Sequence, residues 1–313
     1  MAQHYDIIGD IHGCNNTLIS MLEALGYAKK SDYYQHPNRK VIFVGDFIDR
    51  GPLQLETIRT VRAMVAANQA HAVMGNHEFN AIAYITPDKV EGGYLRAHTS
   101  RNRRNHRAFL QAMEQHPEQY EDVINWFKTL PLWLDLGNLR IVHACWDQLG
   151  IDQISETYSA DGLMDEALFI ASNDPSKWEF HVVENLLKGK TIKLLNNHTF
   201  TDPNGITRDN MRIRWWDNKA TTYKSAFMGA ARDIEHINDT AIDTEHLIIY
   251  EEDEVPLLIG HYWMQDEPAL LAPNIACVDY SIAKRNGKLC AYRWDGESKL
   301  DSAKFICVPR LES

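Results

Sequence analysis

The sequence predicts an α/β fold, and one local pattern met three times is what predicts it. The stretches "YDIIGD", "KVIFVGD" and "HAVMGN" are short β-type apolar runs, each closed by a glycine beside an aspartate or asparagine. Each leads into apolar residues at helical spacing: Leu18, Leu22 and Leu25 in the first, then "LETIRTVRAMVAAN" and "HEFNAIAYI". Three strand-to-helix units therefore carry the chain as far as Ile85. In such folds ligands sit outside the carboxyl ends of the strands, and all three polar clusters fall there.

The pattern then changes. "RAHTSRNRRNHRAF" is basic and polar, "EQYEDVINWF" reads as a helix, and "LPLWLDLGNLRIVHACW" reads as two strands turning at Gly137 and Asn138. From about 148 to 245 the signals are sparse, with a helix at "EFHVVENLLKGK" and a strand at "NMRIRWW". No Pro/Gly/Ser-rich linker marks a boundary, so residues 1–313 read as one domain with an insertion at about 148–245. The tail predicts strands returning to the core at "PLLIGHYW", "NIACVDYSIA", "KLCAYRW" and "KFICVP", with "RNGK" as a hairpin turn.

Composition sets outer limits. With 313 residues and 44% hydrophobic content the chain can bury a sizeable core. A net charge of −11 and the run Glu251, Glu252, Asp253, Glu254 disfavour non-specific nucleic-acid binding, a statement about the surface and not about a local site. No stretch approaches the roughly 18 apolar residues of a membrane span, and "MAQHYDIIGD" lacks a basic leader with an apolar segment, so a soluble, cytoplasmic protein is expected. Five cysteines without CxxC spacing predict reduced thiols rather than a disulfide framework.

The chemistry lies in the three clusters. "GDIHG" sets Asp10 and His12 two residues apart, and in extended backbone such positions point the same way, so carboxylate and imidazole can converge on one metal. "GDFIDRG" supplies Asp46, Asp49 and Arg50, and "GNHE" supplies Asn76 and His77. In this order, and about 30 residues apart, they resemble the signatures of the phosphoprotein phosphatase branch of the calcineurin-like metallophosphoesterases. "VHA" at Val142 to Ala144 and "GH" at Gly260 and His261 resemble the two downstream histidine motifs of that family.

The resemblance implies a mixed β-sandwich flanked by helices, with two divalent metals at the strand ends. Asp10 and His12 would ligate the first metal, Asp46 would bridge both, and Asn76, His143 and His261 would complete the second. Mixed oxygen and nitrogen donors suit manganese first, with iron or zinc as alternatives. His77 would be the general acid, Asp49 the carboxylate orienting it, and Arg50 the clamp on the substrate phosphate. A second arginine has three candidates outside any motif, Arg208, Arg212 and Arg214, of which Arg212 is taken. The expected reaction is hydrolysis of phosphomonoesters by in-line attack of a hydroxide shared between the metals. A serine/threonine phosphoprotein is the first substrate, with a bis(5'-nucleosyl)-tetraphosphatase-like activity on small dinucleoside polyphosphates as the alternative. A reading from another class is a non-catalytic metal-binding scaffold.

Some residues favour plainer roles. Arg101, Arg103, Arg104 and Arg107 read first as a solvated helix face and second as a receiver of anions. Cys14 and Cys145 read as small buried hydrophobes, Trp215 and Trp216 as core or pocket wall. "GHYW" departs from relatives with a small residue and proline after the histidine, so nothing is carried over for Tyr262.

Overall fold

Neighbouring residues of a strand face opposite ways, and here both faces are covered. Ile7 and Ile42 pack with Leu258, Ala276 and Tyr292 in one buried cluster, while Ile8, Phe43, Leu257 and Ile259 belong to a second, larger one. The first cluster draws on both of two five-stranded sheets, so it fills the space between them. The computed structural model describes residues 3–201 and 205–312 of the chain.

One sheet runs Phe305–Pro309, Lys288–Trp294, His4–Ile8, Arg39–Phe43, Ala70–Ala72. Its last three strands are parallel, as the strand-to-helix units require, and Lys288–Trp294 is antiparallel to both its neighbours. The other runs Leu270–Ala272, Ile275–Cys277, Leu257–Ile259, Arg140–Val142, Trp133–Asp135, parallel in its three central strands. The predicted α/β mixed sandwich is the observed architecture. Helices α1 (Asn15–Ala24), α2 (Gln54–Ala66) and α3 (Asn76–Ile85) each follow one of the three parallel strands of the first sheet. The basic stretch becomes α4 (Ser100–Asn105) and opens α5 (Arg107–Gln115), ahead of α6 (Pro117–Phe127).

Three expectations change. Ile275–Cys277 and Lys288–Trp294 lie in different sheets, so "RNGK" passes the chain between sheets and is not a hairpin turn. The strand Leu270–Ala272 was not anticipated from the sequence. Cys290 and Cys307, directly opposed across their antiparallel strands, form a disulfide, and only Cys14, Cys145 and Cys277 remain as buried thiols. Residues 148–245 supply the helices Gln148–Thr157, Glu166–Ala171 and Trp178–Lys188. Their Ile154, Leu186 and Trp215 join the same cluster as Leu18 and Phe43.

Candidate active site

The three motif loops stack on one another, and two glycines make this possible. Gly45 adopts φ +97°, and a Cβ on it would come within 2.4 Å of the Gly75 nitrogen. Gly75 itself is extended, with φ −93°, so its glycine is required by space and not by handedness. A Cβ there would lie 2.2 Å from the Asp46 nitrogen and 2.3 Å from its Oδ1. Among the described residues, eleven non-glycine residues have positive φ, and six of them are here: His12, Asp46, Asp49, Arg50, His261 and Trp263. The first strand ends at Ile8, so Asp10 and His12 are not placed by extended backbone; His12, at φ +48°, is turned by the loop.

Asp46 is the centre. Among the described residues, His12, Asp46 and His77 form one group whose nitrogen and oxygen atoms lie within 4.8 Å of one another, and Asp46, His143 and His261 form another. The Asp46 Oδ2 stands 3.7 Å from His12 Nε2 and 3.9 Å from His77 Nε2, and its Oδ1 stands 3.5 Å from His143 Nε2. Asn76 Oδ1 lies 3.3 Å from His143 Nε2 and 2.8 Å from His261 Nδ1, which places the amide in the second group. Asp10 is buried beside them, but its carboxylate accepts the backbone N–H of His261 at 3.2 and 3.3 Å and joins neither group.

The donors fit metal ions. His12 Nδ1 donates to the Ile48 carbonyl at 2.8 Å and His143 Nδ1 to the Val44 carbonyl at 2.7 Å, so the Nε2 of each faces Asp46. The Nε2 atoms of His12 and His261 are buried with no hydrogen-bond partner among the described residues, an arrangement that a bound cation resolves. Burial, with Arg50 beside it, pushes His12 down to about 3, and a neutral imidazole is the form that ligates.

The expected acid pair is also assembled. His77 Nδ1 donates to Asp49 Oδ2 at 2.6 Å, which directs Nε2 into the site. Burial works against its protonation, but Asp46 and Asp49 outweigh it and raise the His77 pKa. Sequence reasoning missed a third member: His106 Nδ1 lies 3.0 and 2.9 Å from the two oxygens of Asp49. Despite its burial, Asp49 is held below the usual carboxylate range by hydrogen bonds from both imidazoles. Arg50 lies flat on Trp263, its guanidinium carbon 3.8 Å from the ring centroid, another contact unseen in the sequence.

Two further carboxylates act as braces. Glu78 is fully buried and accepts backbone N–H groups from Asp46, Phe47, Ile48 and Gly75, so it holds the neighbouring loop rather than merely complementing the dipole of α3. Asp279, two residues past the strand Ile275–Cys277, accepts the backbone N–H groups of Trp263 and Ser281 and fixes the turn after His261. The apolar run before Asp279 resembles those before Asp10 and Asp46, and that likeness was the available signal. Tyr262 is buried and takes the indole N–H of Trp215 at 2.8 Å; Trp215 and Trp216 are core. Arg212, over the Tyr262 ring at 5.8 Å, and Arg208 border the cleft that Asp49, Arg50, His77 and His261 line, while Arg214 does not.

The model of the calcineurin-like phosphoesterase family matches residues 4–261. The chain belongs to this family. As a calcineurin-like phosphoesterase it has a place for a dinuclear divalent metal site, for which the two groups sharing Asp46 are the candidates. A protein of Halalkalibacterium halodurans named asymmetrical bis(5'-nucleosyl)-tetraphosphatase is 44% identical over 88 residues, 28% of this chain and 36% of that one. One of the same name from Oceanobacillus iheyensis is 34% identical over 140 residues, 44% of this chain and 54% of that one. The chain thus spans between about a third and a half of these curated relatives. The solved structure of a cold-active protein tyrosine phosphatase superposes with TM-score 0.51 at 16% identity, over 96% of this chain and 79% of that one, a likeness of fold.

Proposed function

We propose that this single-domain chain, with its elaboration at about 148–245, is a metal-dependent hydrolase of phosphate esters and anhydrides. The observation that carries the reading is Asp46, flanked by His12 and His77 on one oxygen and by His143 on the other. In this reading His12 and Asp46, with Asp10 adjacent, hold one divalent ion, and Asp46, Asn76, His143 and His261 hold the other, manganese first, with iron or zinc as alternatives. Such ions, when bound, activate water and neutralise phosphoryl charge.

The rest is the work of side chains. Arg50, kept in place by Trp263, offers a planar pair of donors to the phosphoryl oxygens, and Arg212 offers a second cation. His77, fixed through Nδ1 by Asp49, carries its proton on Nε2 toward the leaving oxygen. Burial of Asp46, Asp49 and His77 keeps bulk water away and strengthens these interactions.

The relatives' names support dinucleoside polyphosphates as substrates over the phosphoprotein expected first. No helix among the described residues is long and apolar enough to cross a membrane. The cytoplasm is proposed on the three unpaired thiols, with the Cys290–Cys307 disulfide as the observation against it. The test is turnover of diadenosine tetraphosphate, a phosphopeptide and p-nitrophenyl phosphate by manganese-loaded protein, chelated protein and Asp46→Asn. Turnover of the tetraphosphate lost on chelation and in the variant is expected; equal rates in all three samples refute the metal-dependent reading.

A further inference from the structure

The cleft above the site has a volume of about 950 Å³, near the upper end for small-molecule sites. In a chain of net charge −11, eight of the cleft's lining side chains among the described residues are arginine or lysine, and Asp49 is the one carboxylate among those described. The cations fall into two banks. Arg50 lies in the field of Asp46, Asp279 and Asp10, and Arg212 acts on His261, so this bank belongs to the candidate metal positions. Arg96 lies in the fields of Glu184 and Asp49, and Arg101, Arg104 and Arg107 line the cleft together with His106, whose imidazole is bonded to that second carboxylate. This second bank belongs to the acid.

Arg101 and Arg104, three apart on α4, share a face, whereas Arg103 on the same helix does not line the cleft. None of Arg96, Arg101, Arg104 and Arg107 forms a salt bridge with a carboxylate among the described residues. Four such cations beside the group that protonates the leaving oxygen face the part of the substrate that departs. A serine or threonine hydroxyl leaves uncharged once protonated and calls for no such bank. A departing phosphate chain carries several negative charges after the proton has been delivered, and guanidinium groups match its oxygens in pairs.

We infer that Arg96, Arg101, Arg104 and Arg107 form a leaving-group subsite for linked phosphates, so that the bond cut is a phosphoanhydride. The inference rests on the proposed hydrolase reading and gives it a direction across the cleft. In the step, the oxygen of water joins phosphorus and the P–O bond to the bridging oxygen breaks with its electron pair left on that oxygen. The proton on His77 Nε2 passes to the bridging oxygen, and the proton lost by the attacking water restores His77. The departing chain then rests on the second bank.

Binding is read first, by calorimetry on chelated protein with inorganic tripolyphosphate as the probe. Wild-type protein is expected to bind tripolyphosphate at least tenfold more tightly than orthophosphate. Arg101→Ala/Arg104→Ala is expected to raise the tripolyphosphate Kd about tenfold, the scale of one or two lost charge-assisted hydrogen bonds. Arg103→Ala, facing away, is the control expected within about twofold. Diadenosine tetraphosphate as a second probe separates the sources: tighter binding than tripolyphosphate points to a nucleotide-borne chain, equal binding to phosphates alone, and both support the subsite. With manganese, the ratio of kcat/KM for tripolyphosphate to that for p-nitrophenyl phosphate should fall about tenfold in the double variant. Equal binding of tripolyphosphate and orthophosphate, a double variant that binds as wild type, or displacement of tripolyphosphate by a single-stranded oligonucleotide at micromolar concentration overturns the inference. Turnover of no phosphoester alongside tight tripolyphosphate binding overturns the hydrolase reading and leaves the subsite standing.

Discussion

Replacing Glu78 by glutamine removes one oxygen and no bulk, and should unfasten the loop that carries Asp46, Asp49 and Arg50. Glu78 Oε2 accepts from the Asp46 nitrogen at 2.8 Å and the Gly75 nitrogen at 3.1 Å; Oε1 accepts from Phe47 at 2.8 Å and Ile48 at 3.3 Å. A glutamine keeps one acceptor and turns an NH2 group against the other pair of backbone N–H groups. Two buried donors left unpaired cost about 1–3 kcal/mol each, so Glu78→Gln should lose about 2–6 kcal/mol. For a domain of this size that lowers Tm by about 4–12 °C, at roughly 2 °C per kcal/mol. Calorimetry on chelated and on manganese-loaded protein, with turnover measured in parallel, separates the loss of the brace from mass action by the metal. Exposed Glu252→Gln is the charge control. A fall of less than about 2 °C with turnover above half of wild type would refute the brace.

Three other outcomes follow from the same reasoning. Trp263→Ala should raise KM about three- to tenfold by freeing Arg50, with Trp263→Phe intermediate in steady-state kinetics; an unchanged KM argues against the stack. His106→Leu should slow hydrolysis of phenyl phosphate about tenfold and of 2,4-dinitrophenyl phosphate much less, because a good leaving group needs little protonation. His106→Asn, which retains an N–H for Asp49, should recover the loss; equal slowing of both substrates would count against a positioning role. Asp295, although partly desolvated, is held below the usual carboxylate range by hydrogen bonds from Arg39, Lys304 and His4. Its folded pKa is thus below the unfolded one, so its contribution is present above about pH 4 and fades as the pH falls. Asp295→Asn should lower Tm at pH 7 and narrow its gap to wild type near pH 3, whereas a gap that stays constant with pH would exclude this pairing.

What could be read from the sequence was local. Apolar spacing around Leu18, Leu22 and Leu25 gave α1, and glycine beside aspartate or asparagine marked the ends of the three parallel strands of the first sheet. Asp46, Asn76, His77, His143 and His261 meet because motif residues follow strands whose parallel order is set by the helices between them. His106 had no such signal: it sits among arginines in "RNRRNHR", and only the packing of α4 and α5 brings it to Asp49. Trp263 was hidden for the same reason, since its partner Arg50 is remote in sequence. The hairpin assigned to "RNGK" failed because a turn signal does not say which sheet each flanking strand will enter. The Cys290–Cys307 pair escaped because cross-strand register, not cysteine spacing, sets it.

The left-handed backbone at His12, Asp46, Asp49, Arg50, His261 and Trp263 has an evolutionary side. An L-residue in that conformation carries roughly 1 kcal/mol of strain that glycine would relieve. At Arg50, a change to glycine gives up the stack on Trp263 and the attraction of Asp46, Asp279 and Asp10, but it relieves that strain and the cost of desolvating the guanidinium, so a library sorted for heat resistance alone should accept it and discard the proposed phosphate clamp. Stability and turnover pull in opposite directions at this position. Under the role proposed for Arg50, selection for catalysis is what keeps a large side chain at a place the backbone would yield to the smallest residue.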